Sequence, residues 1–283
     1  MWKQKVSVSV GNSYVLPTEE VIAMVGKIGF EVISLACSNG ADIDKLTQVA
    51  RDCGLTVQSL HAPILNAANM WSHDDAVGLP ARQELLSVLD TCKRNGIPIM
   101  VAHVWIGFRY TFDAENLNFA NYDAVVAYAK QCGVKIAFEN TEGEEYLFAL
   151  MERYKGDDTV GFCWDSGHEM CYNRSRELLT DFGDRLLMTH LNDNLGIRSF
   201  EGNMTSRDDL HLLPGDGNIH WESNIRRLKD LPRQKILNFE LKKLCKSTDP
   251  SDRIYADLST QDYFNLAAQR ARQIADLYEK ELL

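Results

Sequence analysis

The sequence predicts an α/β chain folded as a single (β/α)8 TIM barrel, and three observations carry that prediction. Short β-branched runs alternate with longer amphipathic runs along the whole chain, the pattern of parallel βα units. Eight such strand-like runs can be counted. From the third onward, nearly every run carries His, Asp or Glu at or just beyond its carboxyl end, where a barrel gathers its functional groups. The 283 residues suit a barrel of the usual ~250. No Pro/Gly/Ser-rich linker or low-complexity tract offers a boundary, so residues 1–283 are expected to form one domain.

Taken in order, strands are expected at residues 6–10, 31–36, 56–61, 98–104, 135–139, 160–165, 186–191 and 235–240. Helices are expected at 18–28, 43–53, 81–95, 122–132 and 144–154, where apolar residues recur at three- and four-residue spacing. Gly29, Gly54, Gly96 and Gly133 follow the first four helices, where a left-handed cap belongs. The repeat is regular through five units and looser afterwards. Between Leu191 and Trp221 lie about thirty residues with no convincing element; a loop of that length inside a compact domain is usually functional.

The formal charge of −10 argues against a general attraction to nucleic acid, which needs a basic stripe to neutralise phosphates. No apolar run reaches the roughly 18 residues that span a bilayer. Seven cysteines without a CxxC pair, at positions 37, 53, 92, 132, 163, 171 and 245, suit reduced thiols. A cytoplasmic location is expected.

The chemistry-bearing residues fall in one register. His61 ends the third strand, His103 nearly ends the fourth, Glu139 ends the fifth, and Asp165 ends the sixth with His168 three residues on. His190 nearly ends the seventh, Asp209 and His211 lie in the long loop, and Glu240 ends the eighth. In a closed barrel these positions meet at one mouth. Carboxylates gathered that closely repel one another by several kcal/mol in a cleft of low dielectric, so cations are needed. Mixed carboxylate and imidazole donors suit Mn or Zn, with Co or Mg as further candidates. Singly, each residue has a plainer explanation as a hydrogen-bonded packing residue or an ion-pair partner; together they are hard to produce by accident. His73 and His220 lie off this register and read as loop or surface residues. Trp105 adjoins the site and is a candidate pocket wall, whereas Trp164 reads as core. Asn194 and Arg198 in the long loop are candidates for contact with substrate. Arg109 after the fourth strand and Lys242 after the eighth are further pocket candidates, and each of these four also has a plainer reading as a surface group.

These residues resemble the xylose-isomerase-like TIM barrels, which include sugar isomerases and epimerases and the class II apurinic endonucleases. The landmarks are Leu60-His61-Ala62-Pro63, Ala102-His103-Val104, Phe138-Glu139-Asn140, Trp164-Asp165-Ser166-Gly167-His168, His190-Leu191-Asn192-Asp193, Asp209-Leu210-His211 and Phe239-Glu240-Leu241. The resemblance implies a central metal held by Glu139, Asp165, His190 and Glu240. It implies further metal positions at His168, Asp209 and His211, and at His61 and His103 with Glu139 bridging. In the sugar branch, the metal polarises a ketose carbonyl, and Glu139 and Glu240 are the acid and base that move the proton on the adjacent carbon through an enediolate. In the endonuclease branch, several metals act on a phosphodiester. The endonuclease pattern has a small residue and a Lys after Asp193, where this chain has Asn194-Leu195-Gly196, and an Arg where this chain has Leu210. The phosphate-handling residues are therefore missing, and the sugar or sugar-phosphate isomerase or epimerase reading is preferred. A related dehydratase or lyase and a sugar-binding module stand as alternatives. The resemblance also implies a homo-oligomer.

Overall fold

The computed structural model describes residues 3–11, 16–38, 40–199, 201–244 and 253–282. Eight parallel strands follow the expected runs: β1 Lys5–Val10, β2 Val32–Ala36, β3 Thr56–His61, β4 Ile99–His103, β5 Lys135–Glu139, β6 Val160–Asp165, β7 Leu186–His190 and β8 Ile236–Phe239. They pair in the order β7-β6-β5-β4-β3-β2-β1-β8. A bridge between Leu191 and Phe239 links the two ends, with Leu191 N donating to Asn238 O at 2.9 Å and Glu240 N to Leu191 O at 3.1 Å. Among the described residues, this bridge joins the two end strands and leaves no long open sheet edge. Among the described residues, no helix is long and apolar enough to cross a membrane.

Nine α-helices lie between and after the strands of the described chain: α1 Thr18–Ile28, α2 Ile43–Asp52, α3 Asp75–Asn95, α4 Ala120–Cys132, α5 Glu144–Arg153, α6 Ser166–Cys171, α7 Leu178–Phe182, α8 Trp221–Arg226 and α9 Thr260–Glu281. Gly29, Gly96 and Gly133 cap α1, α3 and α4 in the left-handed conformation. The third helix starts at Asp75 rather than 81, because the Asp74 side chain caps it by accepting from Ala76 N and Pro80 is accommodated inside the helix. The last helix went unread in the sequence, yet it buries Tyr263, Phe264, Ala267, Ala271, Ile274, Ala275 and Tyr278 at helical spacing. It also anchors the chain start, since Arg272 Nη1 donates to Gln4 O at 2.7 Å.

The inside of the barrel explains why the site sits where it does. Ser59, Val101, Ala137, Cys163, Met188 and Asn238 are buried residues on successive strands. Side chains two apart on a strand share a face. One step further along the same strands come His61, His103, Glu139, Asp165 and His190, and just past β8 comes Glu240. On one side the layer below is apolar, with Val101, Ala137, Cys163 and Met188 clustered together. On the other side it is polar: Asn238 Oδ1 accepts from Ser7 Oγ at 2.7 Å and Ser34 Oγ at 3.0 Å, and Ser59 Oγ donates to Ser34 Oγ at 2.9 Å. This packed floor closes the barrel beneath the ionisable layer.

Candidate metal centre

Glu139 stands at the middle of the ionisable layer and is fully buried. Its Oε2 lies 3.1 Å from His61 Nε2 and 3.4 Å from His103 Nε2. Its Oε1 lies 3.0 Å from His190 Nδ1 and 3.3 Å from His168 Nδ1. His190 Nδ1 is also 3.3 Å from Glu240 Oε2. Asp209 Oδ1 is 2.7 Å from His211 Nε2 and 3.3 Å from His168 Nε2, while Lys242 Nζ approaches its Oδ2 at 3.3 Å. Lys242, a pocket candidate in the sequence, lines the cavity over the cluster and lies beside Asp209, with 16% of its side chain exposed.

The donor atoms form adjoining groups, two of which share Glu139. Those of Glu139, Asp165, His190 and Glu240 lie within 4.8 Å of one another, as do those of His168, Asp209 and His211, and those of His61, His103 and Glu139. All nine sequence-derived ligand candidates therefore meet in one place. Burial lifts the Asp165 carboxyl above its usual range, and the nearby Glu139 and Glu240 charges push the same way against His168 and His211. Burial also opposes ionisation of Glu139, but His190, His103 and His168 outweigh it and hold the carboxylate well below its usual range. Glu240 is held low too, by His190 and His211 against the cost of burial. Three carboxylates packed around imidazoles, one of them pushed towards protonation by burial and by the other two, make a donor set that suits a divalent cation.

Neighbouring amides hold these groups in place. Asn140 Oδ1 accepts from Asp165 N at 2.7 Å, its Nδ2 donates to Asp165 O at 2.8 Å, and its backbone O faces His168 Nδ1 at 3.0 Å. Asn192 Nδ2 donates to Asp165 Oδ2 at 2.9 Å. His211 is held at φ 50, a left-handed conformation costly for a side chain of its size and concentrated at functional positions. The sequence carried a partial signal for the amides: both directly follow or lie two residues beyond a ligand candidate.

The long loop is ordered around one buried carboxylate. Asp193 Oδ1 accepts from Asn194 N at 2.9 Å and Ile219 N at 3.0 Å. Asp193 Oδ2 accepts from Gly215 N at 2.8 Å and Trp221 Nε1 at 2.9 Å. Gly217 has to be glycine for the same reason, since a Cβ there would fall 2.3 Å from Asp193 Oδ1 and 2.5 Å from Asn194 O.

A cavity of about 230 Å³ opens over the cluster, with His61, His103, His168, Asp209, His211 and Glu240 in its lining and Ala62, Pro63 and Ile64 as an apolar wall. Three sequence candidates lie outside that lining. Trp105 lies flat on Tyr146, with ring centroids 4.2 Å apart, and donates to Gly107 O at 3.1 Å. Asn194 is fully buried, its Oδ1 accepting from Gly196 N at 2.8 Å. Arg198 Nη2 donates to Arg207 O at 3.0 Å, and its Nε is 3.9 Å from Asp208. Cys37 also lines the cavity. Trp164 is core, His73 and His220 are surface groups, and Cys245 lies outside the described residues.

The fold and the strand-end cluster define a barrel whose functional groups face its carboxyl-terminal mouth. The sequence profile of the xylose isomerase-like TIM barrel family matches residues 22–260, and the chain belongs to that family. It is 31% identical over 266 residues to the uncharacterized protein y4fM of Sinorhizobium fredii, covering 83% of this chain and 78% of that one. It is 25% identical over 157 residues to MJ1311 of Methanocaldococcus jannaschii, covering 52% and 50%. Among solved structures, IolI with a bound zinc atom superposes with a TM-score of 0.73 at 19% identity, covering 97% of this chain and 99% of that one. An L-ribulose 3-epimerase gives 0.73 at 16% identity over 98% and 95%. A D-psicose 3-epimerase in the presence of D-fructose gives 0.69 at 16% over 97% and 99%. Likeness at these identities extends to the fold.

Proposed function

We propose that this chain is a divalent-metal-dependent isomerase or epimerase of a sugar or sugar derivative, moving a proton on the carbon next to a carbonyl. The observation that carries the reading is the convergence of Glu139, Asp165, His190 and Glu240 donors within 4.8 Å of one another, with Glu240 lining a cavity. The solved structures of like fold include sugar epimerases and a zinc-bound protein, which supports both the substrate class and the metal. These four residues would hold the ion, with Mn or Zn preferred by the donor set and Co or Mg also accepted. Bound there, it would polarise the substrate carbonyl and adjacent hydroxyl.

The protein's own groups divide the remaining work. Glu240 lines the cavity and keeps 21% of its side chain exposed, so it is the carboxylate best placed to take the proton from the substrate carbon. Glu139, fully buried beside Glu240's imidazole partner His190 and held ionised by the imidazoles around it, is the second acid/base in this reading. The proton lost to one carboxylate leaves an enediolate. Its return to the same carbon from the other face epimerises, and its return to the neighbouring carbon isomerises. The apolar wall of Ala62, Pro63 and Ile64 limits water at the reacting carbon. Glu139→Gln and Glu240→Gln keep shape but lose basicity, so each is expected to fold normally and lose roughly 10²–10⁴ in turnover. Wild-type rates in both would remove these residues from the mechanism.

A second reading has its own support. The His61/His103/Glu139 and His168/Asp209/His211 groups add two further sets of converging donors, the arrangement of a multi-metal phosphodiester hydrolase. Leu210 is fully buried and offers nothing to a phosphate. Metal count and phosphodiester cleavage separate the two readings.

A further inference from the structure

Past β8, Glu240 and Lys242 both line the metal cavity, two residues apart, the spacing that keeps two side chains on one face of an extended chain. Two bonds fix this segment to the long loop: Lys242 N donates to His211 O at 3.0 Å, and His211 Nδ1 donates to Glu240 O at 2.9 Å. The Lys242 ammonium lies 3.3 Å from Asp209 Oδ2. Among the described residues of that lining there is no other Lys or Arg.

The group that Lys242 joins has the donors of a metal site. The Asn140 and Glu240 carbonyls accept at the Nδ1 atoms of His168 and His211, at 3.0 and 2.9 Å. A carbonyl only accepts, so each Nδ1 carries a proton and each neutral ring turns the lone pair of Nε2 towards Asp209 Oδ1, at 3.3 and 2.7 Å. Charge separates this group from the central one. Glu139, Asp165 and Glu240 give the central group three carboxylates beside one imidazole, whereas Asp209 is the single carboxylate between His168 and His211. The ammonium at Oδ2 already balances that carboxylate, and His168, Asp209 and His211 are all buried. A divalent ion bound at Oδ1 would face the ammonium across one carboxylate and leave two positive charges uncompensated away from water. The ionisable layer as a whole gives the same answer. Its four carboxylates, Glu139, Asp165, Asp209 and Glu240, would balance two divalent ions; with Asp209 matched by Lys242, a second ion leaves an excess of positive charge.

We propose that Lys242 is a built-in cation that takes the place of a metal at the His168/Asp209/His211 group, so that the protein loads its central group and keeps this one metal-free. The assignment rests on the metal reading above and deepens it by setting the metal count, which favours the sugar reading over a multi-metal phosphodiester hydrolase.

The test counts zinc by elemental mass spectrometry after metal-stripped protein has been dialysed against buffered free zinc. It is run on wild type, Lys242→Met, Lys242→Arg, His211→Asn and the Lys242→Met/His211→Asn double variant. Met keeps the length of the lysine without its charge, Arg keeps the charge, and Asn tolerates the left-handed backbone of residue 211 while removing the imidazole. Lys242→Met is expected to hold about one zinc ion per chain more than wild type. Lys242→Arg, His211→Asn and the double variant should each hold the wild-type number. Equal zinc in Lys242→Met and wild type, an extra ion in Lys242→Arg, or an extra ion that survives in the double variant would overturn the assignment. So would the loss of an ion from His211→Asn, a comparison that decides the matter even where Lys242→Met fails to fold by circular dichroism. Each of those results leaves the central metal group standing. A wild type that takes up no zinc would defeat the metal reading and this assignment together.

Discussion

Glu139 touches four imidazoles, and the consequence is local: its charge is fixed by His61, His103, His168 and His190 rather than by solvent. At the residue scale the sequence was most legible where one residue type falls at one register, because strand alternation alone decides which way a side chain faces. His103, Glu139, Asp165 and His190 follow from that rule. Asn140 does not, since its contacts with Asp165 and His168 depend on the turn after β5 that no periodicity encodes. Thiol reactivity gives a residue-scale check. Cys53 is exposed, whereas Cys92, Cys163 and Cys171 are buried. Burial pushes the Cys163 thiol up to about 12 and, with a smaller push from Glu84, the Cys37 thiol up to about 11. Because the thiolate is the nucleophile, iodoacetamide at pH 8 should modify Cys53 first among the described cysteines. Reaction at Cys37 should climb only as pH rises towards 11, and the three buried thiols should stay unmodified until the chain unfolds. Peptide mapping that finds Cys163 labelled in the native protein would contradict the packing described.

At the scale of elements, the barrel repeat was readable through β5 because strands and helices there alternate with glycine caps. It faded where α6, α7 and α8 shorten to five or six residues, too few for a helical period to register. The loop between β7 and α8 was recognised by length and left without internal order. Its order comes from Asp193, whose carboxylate accepts four N–H groups. Asp193→Ala would leave those donors unpaired, at a cost of about 3 kcal/mol. The expected result is a lower urea midpoint together with loss of protection in residues 212–221 by hydrogen exchange. An unchanged midpoint would mean that the loop holds itself by other contacts. A distinct result is expected from Asp193→Asn, which keeps acceptor capacity on one oxygen and should fall between the two.

For the whole molecule, the sequence foretold the barrel and the gathering of the candidate residues at its mouth, because eight strands with one chemical register admit few other arrangements. It left open the ion pair of Lys242 with Asp209, which exists only once the segment after β8 meets the long loop. Repulsion among Glu139, Asp165 and Glu240 predicts that metal contributes to stability. With free metal at 100 times its Kd, binding adds about 2.7 kcal/mol, so removal by chelation should lower Tm by roughly 5–10 °C for a chain of this size. Restoring Mn or Zn should reverse the change, and an unaltered Tm would argue against a site at this cluster.

The most direct measurement is solvent-deuterium incorporation into a panel of ketoses by the metal-loaded protein, followed by NMR, with a chelated sample alongside. The account predicts deuterium on the carbon next to the carbonyl, dependent on metal and lost in Glu240→Gln. Phosphodiester cleavage by a protein carrying about three zinc ions, with no exchange into any sugar, would contradict it.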